Sequence, residues 1–446
     1  MMRKIFIALA GLILIILATF YYYLFPRLTI VNGFAAKIAC SCKYIEGRDI
    51  TEIKKNVLYH SLLPYTSLEI NEDKFSVRAT FFGLKPKTAV YKKGVGCILL
   101  KEGDSSSFQF TQNKSRFAED SIPVFTWKEG ITAGTRKEQL DQVVMAAFDE
   151  DFYLTDKRTS AVLVIHNDTI VAEKYAKPFN VSSPQLGWSM AKSLLNTFIG
   201  LMVYNDKIDL SQQNLFSEWK NDERSKISLN DLLQMSSGLE WEEDYTKICD
   251  VTTMLYDSEK IAEIPLSKQL VGKPGKIWLY SSGTSNLISC FIRNSFANDE
   301  AYFSYLNRKL FDRLGMSSML QETDATGTFI GSSYVYGLPR DWAKFGLLYL
   351  HNGTWMGKQI LPDYWVNYTT SPAIHSKNQY GAHFWLNKEH SFYKDAPEDM
   401  FYADGYQGQY VFIIPSRDLV VVRMGTGDKN FDVNSFLKGI LENVGK

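Results

Sequence analysis

Apolar residues run without a charge or a proline from Ile5 to Phe25, directly after Met1-Met2-Arg3-Lys4. At about 1.5 Å per residue such a run can cross a hydrocarbon core of about 30 Å, so it predicts a membrane-spanning helix over residues 5–25. Arg3 and Lys4 bias its start towards the cytoplasm, and Tyr21, Tyr22 and Tyr23 suit the far interface, which puts the chain after Pro26 outside. The run ends in Phe20-Tyr21-Tyr22-Tyr23-Leu24-Phe25 instead of a small-x-small site, which favours an uncleaved anchor over a cleaved signal.

From about Ala35 to Leu100 the pattern is strand-like, with alternation in Phe75-Ser-Val-Arg-Ala-Thr-Phe81 and a run Ala89-Val-Tyr91 before Lys92-Lys93-Gly94. Polar Lys101 to Lys128 reads as a linker. The expected division is residues 1–26 as anchor, 27–128 as a small β-rich accessory segment with its linker, and 129–446 as the main domain. A helix over Leu140 to Phe148 is followed by a hairpin, Ala161-Val-Leu-Val-Ile165, Asn167-Asp168 and Thr169-Ile-Val-Ala172. A second hairpin, Gln409 to Ile414 and Leu419 to Met424, precedes an amphipathic helix from about Phe431 to Asn443. Between the hairpins lie helical stretches at Leu194 to Tyr204 and Leu229 to Met235, the latter opened by Ser228 and Asp231 at capping-box spacing. Strands at both ends with helices between predict an α+β fold, a mixed sheet covered by helices.

Composition changes this picture little. Of 446 residues 45% are hydrophobic, 14% aromatic and 22% charged, which is globular and excludes collagen, coiled coil and wholesale disorder. Lys+Arg 49 balances Asp+Glu 49, so nothing points to a nucleic-acid partner. Five cysteines, Cys40, Cys42, Cys97, Cys249 and Cys290, fit an oxidising compartment if some pair, and a bridge from Cys40 or Cys42 to Cys97 is expected. The six histidines show no paired-ligand spacing, so neither metal nor cofactor is expected.

The chemistry concentrates in three places. In Trp188-Ser189-Met190-Ala191-Lys192 a serine opening a helix has a lysine three residues on, on the same face, so an amine lies near a hydroxyl that needs its proton removed. The helix start adds N–H donors for a developing oxyanion. In Pro274-Gly275-Lys276-Ile277-Trp278-Leu279-Tyr280-Ser281-Ser282 a tyrosine beside hydroxyls can relay protons. In Ala403-Asp404-Gly405-Tyr406-Gln407-Gly408-Gln409 glycines before a strand can bring backbone N–H groups to a substrate carbonyl. Each has a plain alternative: a solvated helix start, a core aromatic, a hairpin turn.

In this order the three motifs resemble the serine β-lactamase and penicillin-binding-protein superfamily, and within it the class C-type esterase and 6-aminohexanoate-dimer hydrolase branch. The resemblance covers about Gly134 to Lys446. Leu232-Leu233-Gln234-Met235-Ser236-Ser237-Gly238-Leu239 resembles that family's LLxHTSGL segment. It implies an α/β/α sandwich, an antiparallel sheet flanked by helices with an all-helical subdomain. It further implies an acyl-enzyme on Ser189, Lys192 as base, Tyr280 as proton carrier, and oxyanion or substrate contacts from Tyr406, Gly405, Ser282 and Gln409.

Two departures narrow the substrate. Ser282 stands where the family has Asn, and Ala403-Asp404-Gly405 stands where it has K-T-G, removing the cation that meets a β-lactam carboxylate. A membrane-anchored, extracytoplasmic serine hydrolase acting on small esters or amides is therefore expected. A relative that binds D-amino-acid peptides or peptidoglycan without turnover is the alternative. A nucleophile elbow, Gly187-Trp188-Ser189-Met190-Ala191, with a partner such as His351, His375 or His383 is a rival enzymatic reading.

Overall fold

The apolar N-terminal run does not form one helix. An α-helix covers Met2–Thr19, a π-helical turn covers Phe20–Leu24, and a second α-helix covers Phe25–Tyr44. The apolar part of the first helix, residues 5–19, rises about 22 Å, short of a hydrocarbon core. No helix among the described residues is long and apolar enough to cross a membrane. The expected membrane anchor, and the membrane-anchored localisation drawn from it, are overturned, because the regular helix ends at Thr19 and the next one carries Arg27, Asn32 and Lys37. The computed structural model describes residues 2–101, 103, 125–149, 152, 157–205, 207–427 and 429–445, so most of the expected linker lies outside the described residues.

The chain divides into two units. Unit 1 is built from Met1–Gln109, Glu242–Ile264 and Thr323–Gly327, and unit 2 from Phe110–Trp241, Pro265–Glu322 and Thr328–Lys446. In unit 1 the strands β1 Thr66–Asn71, β2 Ser76–Phe81, β3 Leu84–Lys92 and β4 Gly96–Leu100 form an antiparallel meander in that order. Helix Phe25–Tyr44 packs on this sheet, and residues 35–44, expected as strand, are its second half. Leu28, Ala35, Ala36, Ala39 and Cys40 are fully buried at helical spacing, and alanine is the best helix former. A disulfide joins Cys40 to Cys97 on β4, while Cys42, Cys249 and Cys290 form no disulfide among the described residues. Helix Asp250–Tyr256 closes on the same helix: a Cβ on Gly33 would stand 1.9 Å from the Tyr256 carbonyl oxygen, so only glycine fits.

Unit 2 is organised on a seven-stranded sheet. With β5 Lys128–Glu129, β6 Thr159–His166, β7 Thr169–Tyr175, β8 Trp385–Leu386, β9 Phe401–Gly405, β10 Gln409–Ile414 and β11 Leu419–Gly425, the order is β8-β9-β10-β11-β6-β7-β5. All pairs are antiparallel except the short β5–β7. The hairpins read from the sequence are β6–β7 and β10–β11, and the first strand of one pairs with the last of the other, joining the chain's ends. Strand β6 is buried along its whole length, as a central strand covered on both faces should be.

Helices Lys137–Ala146 and Val433–Asn443 cover one face, sharing a core with Val162, Val164, Phe412 and Val421. Helix Pro339–Leu350 covers the other, and a Cβ on its Gly346 would meet Val420 at 2.6 Å and Val411 at 3.0 Å. The result is the expected α+β layering, a sheet between helices, and what regular structure lies between β7 and β8 is mostly helical. Within that stretch, helix Leu229–Leu233 has the capping box in full, Ser228 and Asp231 each bonding the other's backbone N–H.

Candidate active site

Strand Gln185–Leu186 pairs with Tyr336 and Gly337 and then turns sharply, with Trp188 at φ 47°, into helix Met190–Tyr204. Ser189 is the N-cap of that helix and is half-buried. One turn on, Lys192 is 2% exposed, and its Nζ donates to Ser189 Oγ at 3.0 Å. It also donates to Ser282 Oγ and to the Ser332 carbonyl, each at 3.1 Å. A buried ammonium needs such partners, and the nearest of them is the hydroxyl that a base would deprotonate.

Helix Ser282–Asn294 brings in the second motif. Ser281 caps it by accepting from Thr284 N–H, which fixes Ser282, fully buried, against Lys192. Tyr280, just before the cap, presents its ring to Lys192 Nζ, 4.8 Å from the centroid. Trp385 on β8 stacks on that ring at 5.6 Å, and Tyr380 meets it edge-on.

The third motif arrives on β9. A Cβ on Gly405 would stand 2.1 Å from the Gly187 carbonyl oxygen, so the end of β9 lies directly against the turn that presents Ser189. Tyr406 is 57% exposed, and its ring meets Trp188 edge-on at 5.6 Å. Gln409 behaves otherwise: it is buried, its amide is clamped to both the N–H and the carbonyl of Gly425, and its Nε2 also donates to the Tyr406 carbonyl at 3.2 Å. Arg423, fully buried, donates to the Gly408 carbonyl at 2.6 Å and so braces the same turn from behind.

Six of the seven residues singled out in the sequence thus gather at one place, with Gln409 holding the Tyr406 turn. Sequence reasoning missed the Ser332 carbonyl and Asn286, whose amide bonds both Ser332 Oγ and Ser332 N–H and so aims that carbonyl. It also left His383 only as a partner for an elbow serine. His383 is 1% exposed, with Nδ1 2.9 Å from the Lys192 carbonyl and Nε2 3.3 Å from Ser285 Oγ. Both ring nitrogens face those groups, and burial, with the Lys192 charge second, holds its pKa down at about 3. His351 instead pairs with Asp168 at 2.6 Å, so neither histidine serves the elbow reading.

The sequence model of the beta-lactamase family matches residues 154–437, well over half of the chain. The chain belongs to the beta-lactamase family. It is a serine hydrolase of that superfamily, acting on a small molecule. Among solved structures it resembles a Bacillus anthracis protein assigned as a 6-aminohexanoate-dimer hydrolase, with 20% identity, TM-score 0.57, and 71% of this chain and 86% of the other covered. A Bacteroides dorei protein assigned as a beta-lactamase has 16% identity and TM-score 0.56, over 70% of this chain and all of the other. EstCE1, a hydrolase with promiscuous acyltransferase activity, has 12% identity and TM-score 0.55, over 69% of this chain and 99% of the other. At such identities these likenesses establish the fold. No curated protein sequence matches the chain.

Proposed function

We propose that Ser189 attacks the carbonyl of a small ester or linear amide and that Lys192 takes its proton. The observation that carries this reading is the 3.0 Å approach of a buried Lys192 Nζ to Ser189 Oγ. As the C–O or C–N bond of the tetrahedral intermediate breaks, the proton passes to the leaving group, with Tyr280 beside Lys192 as its carrier; water then releases the acyl group by the reverse route. The N–H groups of Ser189 and Tyr406 are the assigned oxyanion donors, supported by the close packing of Gly405 on Gly187.

Substrate class follows from what flanks the serine. Ala403 replaces a cation, so a β-lactam carboxylate lacks a charge-assisted partner of about 1.5–3 kcal/mol, a roughly ten- to hundredfold loss in affinity. Aromatic pairs stand near the site instead, Trp188 with Tyr406 and Tyr280 with Trp385, which suits an uncharged acyl group. The 6-aminohexanoate-dimer hydrolase and acyltransferase assignments of the two relatives agree with linear amides or esters. The test is to assay the full chain and Ser189→Ala on p-nitrophenyl esters, nitrocefin and an aminohexanoate dimer. Ester turnover abolished in the folded variant is expected; turnover unchanged in it, or fast nitrocefin hydrolysis without esterase activity, would overturn the reading.

A further inference from the structure

We propose that His383 is a positioning residue for the general base, a strut that sets the distance between the helix carrying Lys192 and the helix carrying Ser282. The proposal rests on the acyl-enzyme reading above. A carbonyl only accepts, so the contact with the Lys192 carbonyl requires the proton on Nδ1; in the neutral ring Nε2 then accepts from Ser285 Oγ at 3.3 Å, nearer than that hydroxyl's other acceptor, the Ser281 carbonyl at 3.5 Å. One imidazole therefore ties helix Met190–Tyr204 at Lys192 to helix Ser282–Asn294 at Ser285. Ser282 starts that second helix and is the hydroxyl that Lys192 Nζ reaches from the first.

The attachment is reinforced through the backbone. Ser193 Oγ donates to the His383 carbonyl at 2.7 Å, and Asn196 Nδ2 donates to the Ala382 carbonyl at 2.9 Å. His383 itself has φ 59°, a left-handed conformation that histidine and asparagine enter more readily than most side chains. A histidine held there, with both nitrogens engaged and no route to Ser189, is accounted for by its place behind Lys192. Neutrality suits that role, because a cation there would face the Lys192 ammonium, the charged group that acts on it.

The experiment compares His383→Phe, His383→Asn and wild type as full chains. His383→Phe keeps a ring and loses the donor; His383→Asn keeps a donor and tolerates the backbone. For His383→Phe we expect kcat on a p-nitrophenyl ester to fall ten- to a hundredfold with KM within about twofold, and the pH profile of kcat to shift. His383→Asn should recover most of the loss. Wild-type kcat and pH profile in a folded His383→Phe would overturn the proposal, as would equal losses in both variants. If His383→Phe fails to fold, nitrogen-15 labelling of the wild-type imidazoles decides: a neutral Nδ1–H tautomer from about pH 5 to 9 supports the strut, and an Nε2–H tautomer or titration in that range refutes it. That readout does not involve turnover, so it stays distinct from a failure of Ser189→Ala.

Discussion

At the scale of single residues, the amine of Lys192 sits between a serine, a second hydroxyl and an aromatic ring. Groups that pass one proton act as a unit. Lys192→Ala and Tyr280→Phe should each lower kcat on a p-nitrophenyl ester by about a hundredfold or more, and the double variant should be little worse than the poorer single one. Multiplication of the two losses would assign them separate tasks. Ser189 and Lys192 were legible in the sequence because a helix brings positions three apart together without help from the rest of the fold. Ser332 and His383 reach Lys192 from 140 and 191 residues away, and no local pattern encodes such a meeting. The place of Gln409 was hidden for a related reason: its amide turns back onto Gly425 at the end of the neighbouring strand β11, a contact that no local pattern encodes.

At the scale of elements, the end of β9 touches the Ser189 turn backbone to backbone. Gly405→Ala would press a methyl onto the Gly187 carbonyl, and neither partner is a flexible side chain. The variant should lose about 1–3 kcal/mol by denaturant unfolding and lose activity on small esters, whereas unchanged kinetics would detach β9 from the site. A second prediction concerns His351, the C-cap of helix Pro339–Leu350, and Asp168 in the β6–β7 turn. Their hydrogen bond raises the His351 pKa and lowers that of Asp168. The histidine's contribution is complete below its ordinary pKa of about 6.5 and is lost as pH rises through the raised value. The aspartate's is complete above its ordinary pKa of about 3.9 and is lost as pH falls through the lowered one. Asp168→Asn should therefore cost most near pH 5–6 and little above about pH 8, by less than about 1 kcal/mol since both groups are half-exposed. Melting curves across pH would reveal it. The hairpins were legible because β-branched runs and turn residues are local signals. The helix Phe25–Tyr44 was not, since its small residues look weakly patterned until the sheet and Tyr256 fill the space around them.

At the scale of the whole molecule, unit 1 gathers three separate stretches of chain, and residues 242–264 lie beyond any cut made in the linker. A chain beginning at residue 129 keeps helix Asp250–Tyr256 and loses the helix it packs on. Val251, Met254, Leu255 and Tyr256, all at most 4% exposed in the full chain, would meet water at about 1.5–3 kcal/mol each. That truncated chain should bind ANS and precipitate on concentration, while the full chain should do neither. Equal solubility of the two would mean that the helix finds other cover.

The same division of unit 1 fixes an order of events on the ribosome. Its sheet and long helix are complete at residue 109, but its last strip, Thr323–Gly327, is translated more than two hundred residues later. At 5–20 residues per second the interval is roughly 10–45 s. Tyr256 is translated about 150 residues after residue 109, so for roughly 7–30 s the groove around Gly33 and Phe34 has no Tyr256 to fill it. The nascent chain thus carries an open apolar seam through about a third of its own synthesis, a window in which a chaperone, or another nascent chain, can reach it first.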